Sequence, residues 1–395
     1  MLTGRKIRIK PTPEQELLFK KSAGTARWAY NFFLAENERI WNEYLENDKT
    51  GKKFISEGEV RKYINNSLKP TTHRWLSEVG SNVMKQAVKD ANDALQEYLK
   101  GDKGRPRFKS KRNTKPSFYV NYESLVRKNG GFQGERLGFV RTSEPLPELP
   151  EGQHYLNPRI SFDGKFWYLS FSYEIPDIQC ELTDTSLGID LGVKDLAICS
   201  DHRVYANINK SETVRRLKKQ LCREQRKLSR KIDSNIVGYK VIKGHRHPIY
   251  ARPLEECANI QKQKHKVAMI YRRLNGIRNN YLHQTTTEIV KTKPSRIVME
   301  DLNIQGMMKN KHLSGAIQEQ KLYEFKRQIS YKCAKYGIEL IEVPRFYPSS
   351  KTCSCCGNIK PDLKLSDRTY VCSECGLVID RDYNASLNLA NYSCT

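Results

Sequence analysis

The first ten residues alternate: Arg5-Lys-Ile-Arg-Ile-Lys10 has a strand period of two and one wet face. The step then lengthens to three and four. Thr12 is placed to cap, Pro13 suits a first turn, and Gln15 or Glu16 follows, so a helix is expected to open there. Leu17, Leu18, Trp28, Phe32, Phe33, Trp41 and Tyr44 carry its apolar positions. A second helix is expected from Ser81, with Val83, Met84, Ala87, Val88, Ala91, Ala94, Leu95 and Tyr98. All of these are core candidates, and the opposite face, with Lys85, Gln86 and Lys89, is solvated. Short strand-like runs return at Ser117–Val120, Leu137–Val140, Arg159–Phe162 and Trp167–Tyr173, separated by turns at Asn129-Gly-Gly131, Pro145–Pro150 and Asp163-Gly164. Their spacing predicts a small β-barrel, completed by the N-terminal strand across the helical insertion.

Further on the runs become continuously apolar, as buried strands require. Leu187-Gly-Ile-Asp190-Leu-Gly-Val-Lys-Asp195-Leu-Ala-Ile198 predicts a strand, a turn at Gly192 and a returning strand. An aspartate in such a strand is costly unless it is paired or bound to metal. Residues 212–231 form a basic helix with a thin stripe of Leu217, Leu221 and Leu228. Residues 232–255 look like a loop, His245 and His247 being surface residues within it, and a second basic helix is expected over 256–290. Arg296-Ile-Val-Met-Glu300-Asp-Leu-Asn303 is another buried strand ending in carboxylates. A helix over 314–336, a strand over Ile338–Val343 and a final helix over 384–391, with Asp382 near its start, complete the pattern.

Charge changes this picture from fold to partner. The net charge is +25, from 69 Lys and Arg against 44 Asp and Glu, more than solubility needs and suited to a polyphosphate. The run Gly101–Arg112 breaks helix with glycine and proline, and Arg105, Arg107, Lys109, Lys111 and Arg112 suit phosphate contact. No apolar run approaches a membrane span and no signal peptide is expected. Eleven cysteines without a disulfide framework point to a reducing interior. At 395 residues two to four domains are expected, as single cores stop growing well below that length.

Two clusters carry candidate chemistry. Cys353-Ser-Cys-Cys356 and Cys372-Ser-Glu-Cys375, fifteen residues apart, have zinc-ribbon spacing: four thiolates can close a tetrahedron on one Zn²⁺. Cys355 leaves the register open, since it could replace Cys353 or Cys356. Asp190, Glu300 and Asp382 sit at the edges of regular structure. Three clustered carboxylates repel one another and hold divalent cations, and two Mg²⁺ about 3.5–4 Å apart can hydrolyse a phosphodiester. Asp195, Asp301 and Asp380 are substitutes for them, and Glu300 or Asp382 could instead cap a helix or pair with arginine.

Several stretches resemble the TnpB family, RNA-guided nucleases of insertion sequences related to small type V CRISPR effectors. The N-terminal half carries Pro11-Thr-Pro-Glu-Gln15, Gly24-Thr-Ala-Arg-Trp-Ala-Tyr30-Asn31 and Gly104-Arg-Pro-Arg-Phe-Lys109. The C-terminal half carries Gly188-Ile-Asp190, Val298-Met-Glu300-Asp-Leu-Asn303, Leu365-Ser-Asp-Arg368-Thr-Tyr370 and Asp380-Arg-Asp382-Tyr-Asn-Ala385. The resemblance implies a multidomain α/β protein: a wedge-type β-barrel over 1–10 and 111–180 and a helical recognition domain over 11–110. It further implies a RuvC (ribonuclease-H-like) nuclease over 181–350 and 376–395, with a zinc-ribbon insert over 351–375. Asp190, Glu300 and Asp382 fall on the magnesium-binding triad, Asp382 being the second aspartate of its motif. Ser81, Asn82, Lys85 and Gln86 resemble the face that reads a short motif beside the target. The implied partners are an element-derived guide RNA and double-stranded target DNA, met in the cytoplasm by a monomer. Nuclease-dead relatives act as repressors but lose triad carboxylates, and strand transfer is a competing chemistry. The chain departs from the family pattern at 232–255, at Cys355 and in its short C-terminal tail.

Overall fold

A computed structural model describes residues 1–176, 180–242, 244–364 and 366–393. Leu365 of the resembling stretch lies outside them. The chain divides into two compact units, Met1–Pro176 and Asp177–Thr395.

The first unit begins with β1 (Leu2–Lys10), longer than the alternation suggested. The helix α1 (Pro13–Glu46) follows, and Thr12 and Gln15 close a capping box on it, satisfying amides that a helix start leaves unpaired. Two further helices are α2 (Glu57–Tyr63) and α3 (Ser81–Leu99). The strands are β2 (Ser117–Tyr119), β3 (Val126–Lys128), β4 (Gly131–Gly134), β5 (Gly138–Thr142), β6 (Leu156–Phe162) and β7 (Trp167–Glu174). They form one seven-stranded antiparallel sheet in the order β2-β6-β7-β1-β5-β4-β3. The N-terminal strand thus sits in its middle, across the helical insertion. Ile7, Ile9, Phe118, Phe132, Ile160 and Trp167 form its core with Phe19 of α1. Helices α1 and α3 share a second core through Phe33, Leu34, Met84 and Val88. Leu17, Trp41 and Tyr98, which the helical period placed in a core, are instead exposed: Leu17 and Trp41 lie off the covered face of the 34-residue α1, and Tyr98 is in the last turn of α3.

The second unit is built on a five-stranded sheet. Its strands are β8 (Thr183–Leu191), β9 (Asp195–Cys199) and β10 (Val204–Ala206), then, after the insertions below, β13 (Pro294–Glu300) and β14 (Glu339–Val343). The order is β10-β9-β8-β13-β14, with β8, β13 and β14 mutually parallel and β9 antiparallel to β8. This is a ribonuclease-H-like arrangement.

Between β10 and β13 run α4 (Glu212–Asp233), β11 (Ile236–Ile242), β12 (His245–Tyr250) and α5 (Ala258–Lys291). Val214, Leu217 and Leu221 of α4 pack on Val267, Ile270 and Leu274 of α5. The expected loop at 232–255 is therefore largely a β-hairpin. Between β13 and β14 lie α6 (Ile304–Met307), α7 (Ser314–Gln320) and α8 (Leu322–Tyr336). The single helix expected over 314–336 is broken at Lys321, whose φ is +56°, a left-handed conformation that cannot continue a helix. Last come β15 (Thr369–Val371), β16 (Val378–Asp380) and α9 (Arg381–Ala390). Among the described residues, no helix is long and apolar enough to cross a membrane.

Candidate metal centres

Register brings Asp190 and Glu300 together. Met299 of β13 lies opposite Ile189 of β8 in a parallel pair, so the next residues, Glu300 and Asp190, are neighbours. The pleat sends alternate side chains to opposite faces. Leu187, Ile189, Ile297 and Met299 enter a core with Phe325 and Ile329 of α8. Gly188, Asp190, Val298 and Glu300 turn to the other face, where Val298 packs on Leu389 of α9. Gly188 lets that helix approach: a Cβ there would lie 2.0 Å from the Ser386 carbonyl oxygen and 2.4 Å from the Ala390 amide nitrogen. The Ser186 hydroxyl also donates to the Ala390 carbonyl at 2.6 Å. Helix α9 therefore lies directly on β8, and its first turn carries Asp382 into the cleft that Asp190 and Glu300 line.

Burial, then the negative charges of Glu300 and Asp382, push the Asp190 carboxyl up to about 8. Asp382 is held by Arg381 at 2.7 Å and approached by Arg368 at 3.6 Å. Glu300 accepts a hydrogen bond from the Ser349 hydroxyl. Oxygen-only donors beside a carboxylate that resists ionising suit hard divalent cations such as magnesium.

The substitutes separate by position. Asp380 caps α9, its Oδ1 accepting from the amides of Asp382 and Tyr383 at 3.0 Å each. Asp301 pairs with Arg345 at 2.7 Å and Lys326 at 3.3 Å. Asp195 does line the cleft with the triad residues. Ser349, Arg368 and Arg381 also line it and were not singled out from the sequence. Their loop and cap positions carry no periodic signal.

The ribbon cysteines form the second centre. One ligand atom from each of Cys353, Cys356, Cys372 and Cys375 lies within 4.8 Å of the others, and these four could hold a metal ion such as zinc. Cys355 is exposed and stands outside the group. The Cys372 thiol is lowered to about 6, first by the backbone amide of Cys375, while the Cys375 thiol is raised to about 12 and that of Cys356 is raised too, so without a metal the four thiols do not ionise together. Tyr370, fully buried, fills the ribbon beside Cys353 and Cys372.

The two centres are tied through α9. Buried Asn384 donates to the Thr352 carbonyl at 2.7 Å and accepts from the Ser354 amide at 3.0 Å. Buried Asn388 donates to the carbonyls of Ser349 and Thr352, both at 2.7 Å. The segment entering the ribbon is thus pinned to the helix that carries Asp382, and the same segment supplies the hydroxyl on Glu300.

In the first unit, Ser81 and Lys85 of α3 are exposed, whereas Asn82 donates to Glu135 at 3.1 Å and Gln86 to Asp90 at 3.0 Å. Arg105 and Arg107 are exposed, Arg105 reaching Glu38 at 2.9 Å. Lys109 is half-buried, its ammonium 3.5 Å from the centre of the Tyr30 ring.

Three family models match the chain in order. A "Helix-turn-helix domain" covers residues 1–46, which fold here as β1 and the single helix α1. A "Probable transposase" (OrfB of IS605) covers 170–311, and a "Cas12f1-like, TNB domain" covers 323–389. A Streptomyces pristinaespiralis protein named "Putative RNA-guided DNA endonuclease" is 29% identical over 97% of this chain and 87% of its own. An Escherichia coli relative of that name, InsQ, is 27% identical over 97% of this chain and 90% of its own. A Cas12f1 protein, solved as a complex with sgRNA and target DNA, matches over 99% of both chains with a TM-score of 0.56 at 15% identity, a likeness of fold. The matches follow one another along the chain in the order of its motifs, so the resemblance to the TnpB family and to the Cas12f proteins extends over both units.

Proposed function

We propose that this protein is the RNA-guided DNA endonuclease of a transposable element. The observation that carries the reading is that Asp190 and Glu300, on adjacent strands, and Asp382, on the first turn of α9, line one cleft with arginines. Base pairing with an element-derived guide RNA supplies sequence specificity, and basic surfaces grip the backbones. The first unit reads a short motif beside the target through Ser81, Asn82, Lys85 and Gln86, with Arg105, Arg107 and Lys109 on phosphates. Asp190, Glu300 and Asp382 would hold magnesium, which when bound would supply activation of a water and charge to stabilise the leaving oxygen. Ser349 orients the Glu300 carboxylate. Arg368 and Arg381 compensate Asp382 in the resting site and present guanidinium charge to the scissile phosphate. The four ribbon cysteines hold zinc, which folds the ribbon without taking part in cleavage.

The test is purification from a host that expresses the gene with its flanking DNA. RNA from the element's end should copurify, and the complex should cut a plasmid carrying a matching target and a randomised flank when magnesium is added. Absence of bound RNA, or cutting that ignores the RNA sequence, refutes the proposal. DNA joining instead of hydrolysis would assign the site to strand transfer.

A further inference from the structure

The hairpin of β11 and β12 is an addition to the α4–α5 pair that the nuclease site does not use. Its two strands pair from Ile236↔Tyr250 to Ile242↔His245. Neither strand contains a buried residue. Its base is nonetheless defined: buried Asn235 donates to the Arg252 carbonyl at 2.7 Å, accepts from the Arg252 amide at 3.3 Å, and accepts from the Ala251 amide on its own carbonyl at 2.8 Å. The hairpin is therefore a held projection whose faces nothing among the described residues covers. A lone two-stranded hairpin is marginal in water, and this one spends its β-branched and aromatic residues on solvent.

The two faces differ. By the period of two, Tyr239 and Val241 share one face, 54% and 69% exposed, while Val237, 68% exposed, sits at the bulge between Ile236 and Gly238. Arg246, opposite Val241, lays its guanidinium 4.7 Å from the centre of the Tyr239 ring. The other face carries Lys240 opposite His247. From Ser234 to Leu254 the sequence has four Lys and Arg and no Asp or Glu. An exposed aromatic ring beside Val241 and the Arg246 guanidinium complements a base whose phosphates lie at the edge. Duplex DNA, whose base faces are stacked away, offers that ring no such partner.

We infer that the 236–250 hairpin is an RNA-binding finger in which Tyr239 stacks on an unpaired base of the guide RNA, with Arg246 on the neighbouring phosphate. The inference rests on the RNA-guided reading. Sequence-recognised RNA offers unstacked bases in loops and ends, and stacking on an aromatic side chain tolerates any base. Such a contact anchors the RNA outside the paired guide segment, where it does not hinder pairing with the target.

The experiment measures full-length protein binding to two probes by filter retention: RNA transcribed from the DNA adjoining the gene, and a blunt duplex DNA. Tyr239→Ala should weaken RNA binding about tenfold, since base–aromatic stacking contributes of that order. Tyr239→Phe should stay within about twofold because the ring face is kept, and duplex binding should not change in either variant. Ultraviolet crosslinking should recover the hairpin peptide on RNA. As these side chains are exposed, melting temperatures should match the wild type. Equal RNA affinity for Tyr239→Ala and wild type overturns the finger while leaving the RNA-guided reading intact. Wild type that fails to bind the RNA at all overturns both. A loss on duplex DNA equal to that on RNA makes the hairpin a DNA contact and overturns the assignment.

Discussion

Gly188→Ala is the substitution that most directly probes how the fold sets the spacing of the carboxylates. The added methyl would lie 2.0 Å from the Ser386 carbonyl oxygen and 2.4 Å from the Ala390 amide nitrogen. Both are backbone atoms of α9, so no side-chain rotation can relieve the overlap, and the helix must retreat by about 1.4 Å to bring 2.0 Å up to ordinary contact. Overpacking of this kind costs about 1–3 kcal/mol. Because Asp382 rides on the first turn of α9 and Asp190 lies two residues from Gly188, the retreat opens the carboxylate site. A misplacement of about 1 Å at a reacting centre costs roughly 100-fold in rate. The assay is single-turnover plasmid cleavage by the RNA-loaded protein, beside a thermal melt and a target-binding measurement. We expect a loss of about two orders of magnitude in cleavage, with target binding retained. The control is Gly276→Ala on exposed α5, where no atom lies within 4 Å of the new Cβ; it should stabilise by about 0.5–1 kcal/mol. Wild-type cleavage and melting for Gly188→Ala would refute the close packing of α9 on β8.

Arg368→Ala should slow cleavage at least about tenfold, one lost charge contact near a phosphate being of that order, while RNA-guided target binding stays intact; a parallel loss of binding would make the arginine a DNA-gripping residue. Cys372→Ser should lower both bound zinc, measured by metal analysis, and the melting temperature, and a variant with full zinc content would contradict the four-cysteine site. Asp190 supplies a pH prediction. Its folded pKa, about 8, stands above the unfolded value of about 3.9, so the folded chain binds this proton more tightly. The stability that proton linkage contributes is therefore present at low pH and lost as pH rises through about 4 to 8 in metal-free protein. Magnesium should accordingly raise the melting temperature more near pH 8 than near pH 6, and Asp190→Asn should remove the difference; an equal magnesium effect at both values would contradict it.

Asp190 and Glu300 stand out in the sequence because a charged residue within a continuously apolar strand has few explanations, and strand register then brings the two together. The choice between Asp380 and Asp382 depends on backbone geometry: Asp380 accepts from two amides of α9, and no spacing rule reveals which aspartate does so. Ser349, Asn384 and Asn388 were missed because their roles are tertiary. They join a loop, a helix and a strand that are distant in sequence, and polar residues in loops are ordinary. The hairpin was concealed by composition. Gly238, Pro248 and His245-Arg-His247 interrupt the apolar alternation, and both faces are wet, so the period-two signal that marks a half-buried strand is absent. The break at Lys321 lacks the glycine or proline that usually announces one.

The central claim is that the three carboxylates cut while other parts of the chain bind. Asp190→Ala, Glu300→Ala and Asp382→Ala, each loaded with guide RNA, can be assayed in parallel for binding to a matched target and for its cleavage in magnesium. Full binding with no detectable cleavage in all three is the predicted result. Cleavage retained by any one of them, or binding lost by all three, would contradict the account.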